Sequence, residues 1–256
     1  MNPSGSSSLV IPDIHQNILW TESILQAEAD SVDRIIFLGD YFDPKLPCAA
    51  TAEETAIYIS SLKDRFQENR FTFLVGNHDL PYLYDIQQHA LGKPVWKNPY
   101  SCNAYDPDNT RGISQALSKR FLESLEPLTL AHGWLISHAG VHEYHLESYE
   151  GSPEESFARY RDELRSKLKS LPSDRDVALA GVGPARGGID AFGGVTWLDW
   201  HGEFEDTLPW PQIVGHTILE KPDRNERSWN LDTRAGHYGI LSDSDLKVKP
   251  FAKELS

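Results

Sequence analysis

Five short polar clusters carry most of the side chains in this sequence that could hold a cation or move a proton: Asp13-Ile14-His15, Gly39-Asp40-Tyr41-Phe42-Asp43, Gly76-Asn77-His78-Asp79, Ser137-His138-Ala139-Gly140 and Gly215-His216-Thr217. On an extended chain residues i and i+2 point the same way, so Asp13 and His15 can converge on one cation. Alone, the pair also fits a solvated strand end. Asp40 and Asp43, two carboxylates in one turn, repel each other unless a cation or a proton intervenes. A helix N-cap or an Asx-turn is the other use of such a pair. Asn77 offers a neutral oxygen, and His78 can be a ligand or a proton donor, although a polar turn would also use them. His138 and His216 each follow an apolar run and are flanked by small residues; one such His could equally be a satisfied, partly buried imidazole. Together Asp13, His15, Asp40, Asn77, His138 and His216 offer too many donors for one tetrahedral ion. They suit two divalent cations roughly 3.5–4 Å apart that share a bridging carboxylate.

The elements that must position these clusters can be read from the flanking residues. Leu9–Pro12, Arg34–Leu38 and Phe71–Val75 are short apolar runs that end abruptly in the first three clusters. Such runs predict buried strands of a largely parallel sheet. Helical patterns over Ile18–Ala29 and Thr51–Phe66 separate them, and Thr51 with Glu54 makes a capping box. The first 80 residues thus read as βαβαβ, in which sites form outside the carboxyl ends of the strands.

Beyond Leu80 the patterns predict helices over Leu80–Ala90, Ile113–Leu125 and Glu154–Leu168. Strands are expected at Trp134–Ser137, Gln212–Val214, Ser228–Leu231 and Tyr238–Leu241, the last two as a hairpin around Asp232–Gly236. Leu91–Gly112 is rich in Pro, Asn, Gly and Asp and contains Trp96, Tyr100 and Tyr105. It predicts a long loop, an insert or lid whose aromatics either stack on a substrate or pack on the domain. The expected fold class is α/β, two packed sheets flanked by helices in one domain over residues 9–256, after a flexible polar tail at residues 1–8.

Composition narrows the partners. The 256 residues are 39% hydrophobic and 11% aromatic, which excludes wholesale disorder. With 24 Lys and Arg against 38 Asp and Glu, the net charge is −14. A field of that sign repels phosphate backbones and excludes broad duplex binding, except where bound cations invert the local charge. The two cysteines, Cys48 and Cys102, form no CxxC pair, which excludes a disulfide scaffold and a cysteine-built zinc site. No apolar run approaches the ~20 residues of a membrane span. Met1–Ser8 has neither the basic nor the apolar region of a signal peptide, so a cytoplasmic location is expected.

In their order, Asp-x-His, Gly-Asp-x-x-Asp, Gly-Asn-His-Asp, His-Ala-Gly and Gly-His-Thr resemble the motifs of the calcineurin-like metallophosphoesterase superfamily. The likeness runs from residue 13 to 217 and is nearest to the branch of phosphoprotein phosphatases and diadenosine tetraphosphate hydrolases. It implies a four-layer α/β/β/α sandwich. It also implies that Asp13 and His15 bind a first metal, that Asp40 bridges, and that Asn77, His138 and His216 bind a second. His78 would protonate the leaving group, Asp43 would orient His78, and Asn77 would also face the substrate. The implied activity is hydrolysis of phosphomonoesters or phosphoanhydrides by a metal-activated hydroxide, with Mn, Fe, Zn or Co as the metals. The substrate would be a phosphorylated small molecule, a nucleotide or a phosphoprotein. Alternatives are a Ser/Thr protein phosphatase, a diadenosine polyphosphate hydrolase, a phosphodiesterase and, last, a non-catalytic metal-binding scaffold.

The sequence departs from the family pattern at three positions. Ile218 stands where many members carry a second His, Pro44 where this branch has Arg, and Gln16 where Gly commonly follows Asp-x-His. A phosphate-gripping Arg must then come from elsewhere. Arg186, ahead of Trp197-Leu198-Asp199-Trp200, is the candidate, with an exposed loop Arg as the alternative. His142 and His145 are expected at the surface or supporting the site. Trp197, Trp200 and Trp210 are expected in the core or at its rim.

Overall fold

The structure, a computed structural model, describes residues 6–45, 50–66, 70–243 and 245–251. Its first half is the expected βαβαβ unit: β1 (Ser7–Ile11), α1 (Ile18–Glu28), β2 (Arg34–Phe37), α2 (Ala52–Arg65) and β3 (Phe71–Leu74). β1, β2 and β3 pair in parallel. The Thr51 hydroxyl accepts from the Glu54 N–H, and the Glu54 side chain accepts from the Thr51 N–H, so the capping box starts α2 as the sequence predicts. β4 (Leu125–Glu126) extends the sheet beyond β3, while β10 (His237–Ser242) and β11 (Leu246–Pro250) extend it antiparallel beyond β1. The second sheet has the order β5 (Leu128–Ala131), β6 (Trp134–Ser137), β7 (Gln212–Val214), β9 (Ser228–Asn230) and β8 (Asp223–Asn225). Both sheets are mixed, and β6, β7 and β9 run parallel.

The near-continuous apolar runs have a plain origin. Val10, Ile36 and Leu74 of the first sheet share one buried cluster with Ile136 and Ile213 of the second, which is the sheet-to-sheet core. Their neighbours Leu9, Ile11, Ile35, Phe37 and Phe73 point the other way and join the cluster that holds Ile24 and Leu25 of α1 and Ala56, Ile59 and Leu62 of α2. Strands buried on both faces cannot alternate polar with apolar. Phe157, Tyr160 and Leu164 of α6 (Pro153–Lys169) join the same cluster as Leu135 of β6. Two mixed sheets flanked by helices result.

Four expectations are corrected. Ser7 and Ser8, assigned to the tail, open β1: the Ser7 N–H donates to Asp33 Oδ2 at 2.9 Å, and buried Ser8 bonds through its hydroxyl to His132 Nε2 at 3.0 Å. Met1–Gly5 and Cys48 lie outside the described residues. The hairpin around Asp232–Gly236 does not form, because β9 belongs to the second sheet and β10 to the first; the segment between them is a crossover. The predicted helix Ile113–Leu125 is two, α4 (Asn109–Ala116) and α5 (Lys119–Glu123), since the Ser118 hydroxyl caps α5 by accepting from the Phe121 N–H. α4 also shortens the expected loop, so Gly112 is helical. From Leu91 to Asp108 the chain is irregular, apart from turns.

Candidate metal and catalytic site

The carboxyl ends of β1, β2, β3, β6 and β7 each run into one of the polar clusters. Because β1–β3 are parallel within one sheet and β6 and β7 within the other, these ends gather at one edge of the sandwich. The turns there are tight. His15 (φ 42°), Gln16 (φ 63°), Asp40 (φ 56°) and His216 (φ 66°) all adopt the left-handed region. Non-glycine residues held there cost on the order of 1–3 kcal/mol each and persist only where the surroundings over-determine them. A dense set of bonds does so. The His15 N–H donates to Asp40 O at 2.9 Å, and the His216 N–H to Asp13 Oδ2 at 3.0 Å. Asp79, buried at the foot of α3 (Leu80–Ala90), accepts from the N–H groups of Asp40, Tyr41 and Gly76 at 2.8, 2.7 and 2.8 Å.

All six expected ligands converge. His15 Nε2 lies 3.6 Å from Asp40 Oδ2 and 4.0 Å from Asp13 Oδ2. On the other side of the same carboxylate, His138 Nε2 lies 3.5 Å from Asp40 Oδ1 and 3.0 Å from Asn77 Oδ1. His216 Nδ1 is 2.9 Å from Asn77 Oδ1, and His138 Nδ1 is 3.8 Å from Asp13 Oδ1. The backbone fixes which imidazole nitrogens face inward: His15 Nδ1 bonds to Asp43 O at 2.8 Å and His138 Nδ1 to Leu38 O at 2.9 Å. Trp197 backs His216 edge to face, with ring centroids 5.4 Å apart.

The donor set fits divalent cations. Asp13 Oδ1 and His216 Nε2 are buried without a hydrogen-bond partner, which is costly for groups of this kind unless a ligand takes them. A Cβ on Gly215 would sit 2.1 Å from Asp13 Oδ1, and one on Gly76 would sit 2.1 Å from Asp40 Oδ1. Only glycine lets the backbone approach these carboxylates so closely.

The electrostatics agree. Burial, then the Asp232 and Asp40 carboxylates, push Asp13 well above the usual carboxylate range. Burial pushes Asp40 up too, but the imidazoles of His138, His78, His15 and His216 outweigh it and hold Asp40 low. Burial lowers His15 to about 4 against the pull of Asp40, and lowers His138 and His216 as well. Burial thus favours the neutral imidazoles that metal binding demands, while Asp13 would give up its proton to a cation.

Beside this cluster His78 Nδ1 lies 2.7 Å from Asp43 Oδ2. The second oxygen of Asp43 accepts from the Tyr82 hydroxyl at 2.6 Å. The His78 N–H donates to Asp40 Oδ1 at 2.9 Å, tying the imidazole's backbone to the metal-competent carboxylate. Arg186 stands at the His216 side of the cluster, where its charge helps lower His216. It is ion-paired to Asp199 at 2.8 Å and donates to Thr217 Oγ1 at 2.7 Å.

Four residues here escaped the sequence reading. Lys45 Nζ lies 2.9 Å from His78 Nε2, one position past the Pro44 that stands for the branch's Arg. Tyr82 holds Asp43, Cys102 touches His78, and Asp232 presses on Asp13 through space. Lys45 had a legible signal, a cation next to the departing motif position, and Asp232 lies in Leu231-Asp232-Thr233, a segment that resembles the closing strand region of the diadenosine tetraphosphate hydrolases. His145 is buried with Nε2 on Gly193 O at 2.9 Å, and buried His142 stacks on Phe192 with centroids 3.7 Å apart. Tyr100 and Tyr105 pack on Tyr84 and Tyr82, whereas Trp96 is 91% exposed.

No curated protein matches the sequence. Among solved structures, the cold-active protein-tyrosine phosphatase of the psychrophile Shewanella sp. is similar at 16% identity with a TM-score of 0.62, covering 96% of this chain and 78% of that one. A protein serine/threonine phosphatase from Saccharomyces cerevisiae with similarity to human phosphatase PP5 is similar at 14% identity with a TM-score of 0.52, covering 97% of this chain and 80% of that one. At such identities the likeness is one of fold. A sequence model of the calcineurin-like phosphoesterases matches residues 7–219, so the chain belongs to that family and is a metal-dependent phosphoesterase.

Proposed function

We propose that this chain holds two divalent cations and hydrolyses phosphomonoesters or phosphoanhydrides. The observation that carries the reading is the split around Asp40. Its Oδ2 faces His15 at 3.6 Å, and its Oδ1 faces His138 at 3.5 Å, with Asn77 and His216 beyond. One carboxylate between two donor groups is what a bridging ligand requires. Asp13 and His15 would serve the first cation, and Asn77, His138 and His216 the second. Divalent cations bound there, Mn, Fe, Zn or Co, would neutralise the phosphate oxygens and make water acidic enough to attack near neutral pH.

The protein's own groups do the rest. As the P–O bond to the leaving group breaks, that oxygen gains charge and needs a proton. His78 supplies it from Nε2, while Asp43 holds Nδ1–H and steadies the imidazolium. Tyr82 keeps the Asp43 carboxylate in place. Lys45 Nζ, 2.9 Å from Nε2, stands where the acceptor of that proton must stand, so the step requires Lys45 to yield that place to the leaving group. Arg186, aimed by Asp199 and Thr217, grips the phosphate, together with the Asn77 amide. The setting taken for this activity is the cytoplasm, in keeping with an acidic chain that has two cysteines.

Hydrolysis of p-nitrophenyl phosphate with added Mn²⁺ tests the activity. No turnover under any of the four metals would leave a metal-binding scaffold instead. The fold shared with two phosphatases of proteins favours, as a second reading, a phosphoprotein substrate. Rates on phosphopeptides, diadenosine polyphosphates and bis-p-nitrophenyl phosphate rank these against small monoesters.

A further inference from the structure

Asp43, His78 and Cys102 present a second set of metal-competent atoms, distinct in chemistry from the first because it contains sulfur. Among the described residues, one ligand atom from each lies within 4.8 Å of the other two. Cys102 Sγ is 3.4 Å from His78 Nδ1, which is 2.7 Å from Asp43 Oδ2. Tetrahedral zinc with bonds of roughly 2.0–2.1 Å to nitrogen and oxygen and 2.3 Å to sulfur separates N from S by about 3.5 Å and N from O by about 3.3 Å. The N–S separation already matches, and the His78–Asp43 pair needs to open by only roughly 0.6 Å.

Cys102 is held in this position. On one side Asn98 donates its amide to Asp85 Oδ1 and to Pro81 O, both at 2.8 Å. On the other the Asp106 N–H donates to the Tyr82 hydroxyl at 3.1 Å, and Tyr105 bonds to Asp85. Both flanks of the cysteine are thus fastened to α3, the helix that begins beside His78. The thiol is half-buried between exposed Ser101 and Asn103, which leaves a route from solvent.

We propose that Asp43, His78 Nδ1 and Cys102 Sγ form an inhibitory site for a soft divalent cation, Zn²⁺ above all. Thiolate selects Zn²⁺ over hard cations such as Mg²⁺ and Mn²⁺, whereas the all-nitrogen-and-oxygen cluster next door does not discriminate in that way. Binding releases the thiol proton and displaces the proton from His78 Nδ1, which leaves any remaining imidazole proton on Nε2. A cation on Nδ1 takes the position where Asp43 otherwise holds Nδ1–H, so the ring can no longer carry a proton on both nitrogens. Asp43, now a ligand, no longer orients the ring. The inhibitory effect rests on His78 as the proton donor; the binding does not.

The test uses full-length protein loaded with Mn²⁺ and titrated with Co²⁺, read by the near-ultraviolet charge-transfer band that only a sulfur ligand gives. One equivalent of Co²⁺ should produce the band. Cys102→Ser should abolish it, and Cys48→Ser should keep it. With p-nitrophenyl phosphate as substrate, and each protein scaled to its own rate with Mn²⁺ alone, Cys102→Ser should need at least roughly tenfold more Zn²⁺ for half-inhibition, since even outer-shell losses typically weaken metal binding 10–100-fold. No band in the wild type, or a band that survives Cys102→Ser or vanishes in Cys48→Ser, overturns the site. A band that behaves as expected, with Zn²⁺ inhibition unchanged by Cys102→Ser, overturns the inhibitory role. Because the band is read without turnover, the site can be judged even if no hydrolysis is found.

Discussion

Asp40 and His138 stand 3.5 Å apart, Oδ1 to Nε2, although Asp40 follows a strand of one sheet and His138 a strand of the other. The site is therefore a product of sheet-on-sheet packing, and Asp40 is its hinge. Asp40→Asn keeps the shape and removes the charge. Metal analysis after gel filtration should find both cations depleted, with affinities on the order of 10–100-fold weaker or worse, and with far-ultraviolet circular dichroism unchanged. Two full sites in the variant would mean that Asp40 does not bridge.

His78 should separate chemistry from metal binding. His78→Ala is expected to lower kcat by about 10²–10⁴-fold while leaving the metal content intact. The loss should shrink for leaving groups, such as p-nitrophenolate, that depart without a proton. Asp43→Asn should do the same more mildly, because the imidazole stays but loses its orienting carboxylate. If His78→Ala empties a site, His78 is a ligand and not the acid.

The convergence of the candidate residues was legible and the frame around them only partly so, for a physical reason. The candidate clusters sit directly after strands buried on both faces, and that arrangement writes an abrupt apolar-to-polar boundary into the sequence. β1–β3, α1–α3, β6 and β7 were accordingly found within a residue or two at each end. β8 was missed because its residues are mostly exposed and its place is set by backbone pairing with β9. The crossover at Asp232–Gly236 looked like a hairpin because local residues do not record which sheet a strand joins. Tyr82 reaches Asp43 from within α3, and Cys102 reaches His78 from a segment fastened to α3, which no spacing in the sequence encodes.

Gly215→Ala is a steric test of the same cluster. The new Cβ would lie 2.1 Å from Asp13 Oδ1, with no flexible neighbour to yield except that carboxylate. Asp13 should turn away, and the first site should lose affinity on the order of 10–100-fold. Thermal unfolding with chelator present should change far less than unfolding with Mn²⁺. An equal drop in both conditions would mean that the glycine serves the fold and not the ligand.

Asp232 gives a pH-dependent outcome. Burial, and then the Asp40 carboxylate, raise it to about 6, while the Arg234 N–H opposes them by donating to Asp232 Oδ1 at 3.1 Å. Its folded-state value thus lies above its unfolded one. The linked stability is fully present below about pH 4 and is lost as pH rises through about 6. Asp232→Asn removes that loss and keeps the bond from Arg234. With chelator present at pH 7.5 the variant should be more stable than the wild type by on the order of 1–3 kcal/mol, a Tm rise of a few degrees for a chain of this size. Near pH 4 the two should melt together. Saturating Mn²⁺ should narrow the gap at pH 7.5, because bound cations offset the repulsion that burdens the wild type. A variant that is less stable than the wild type at pH 7.5 in chelator would show that the ionised Asp232 carboxylate is stabilising, and that the charge crowding inferred around Asp13 and Asp40 is wrong.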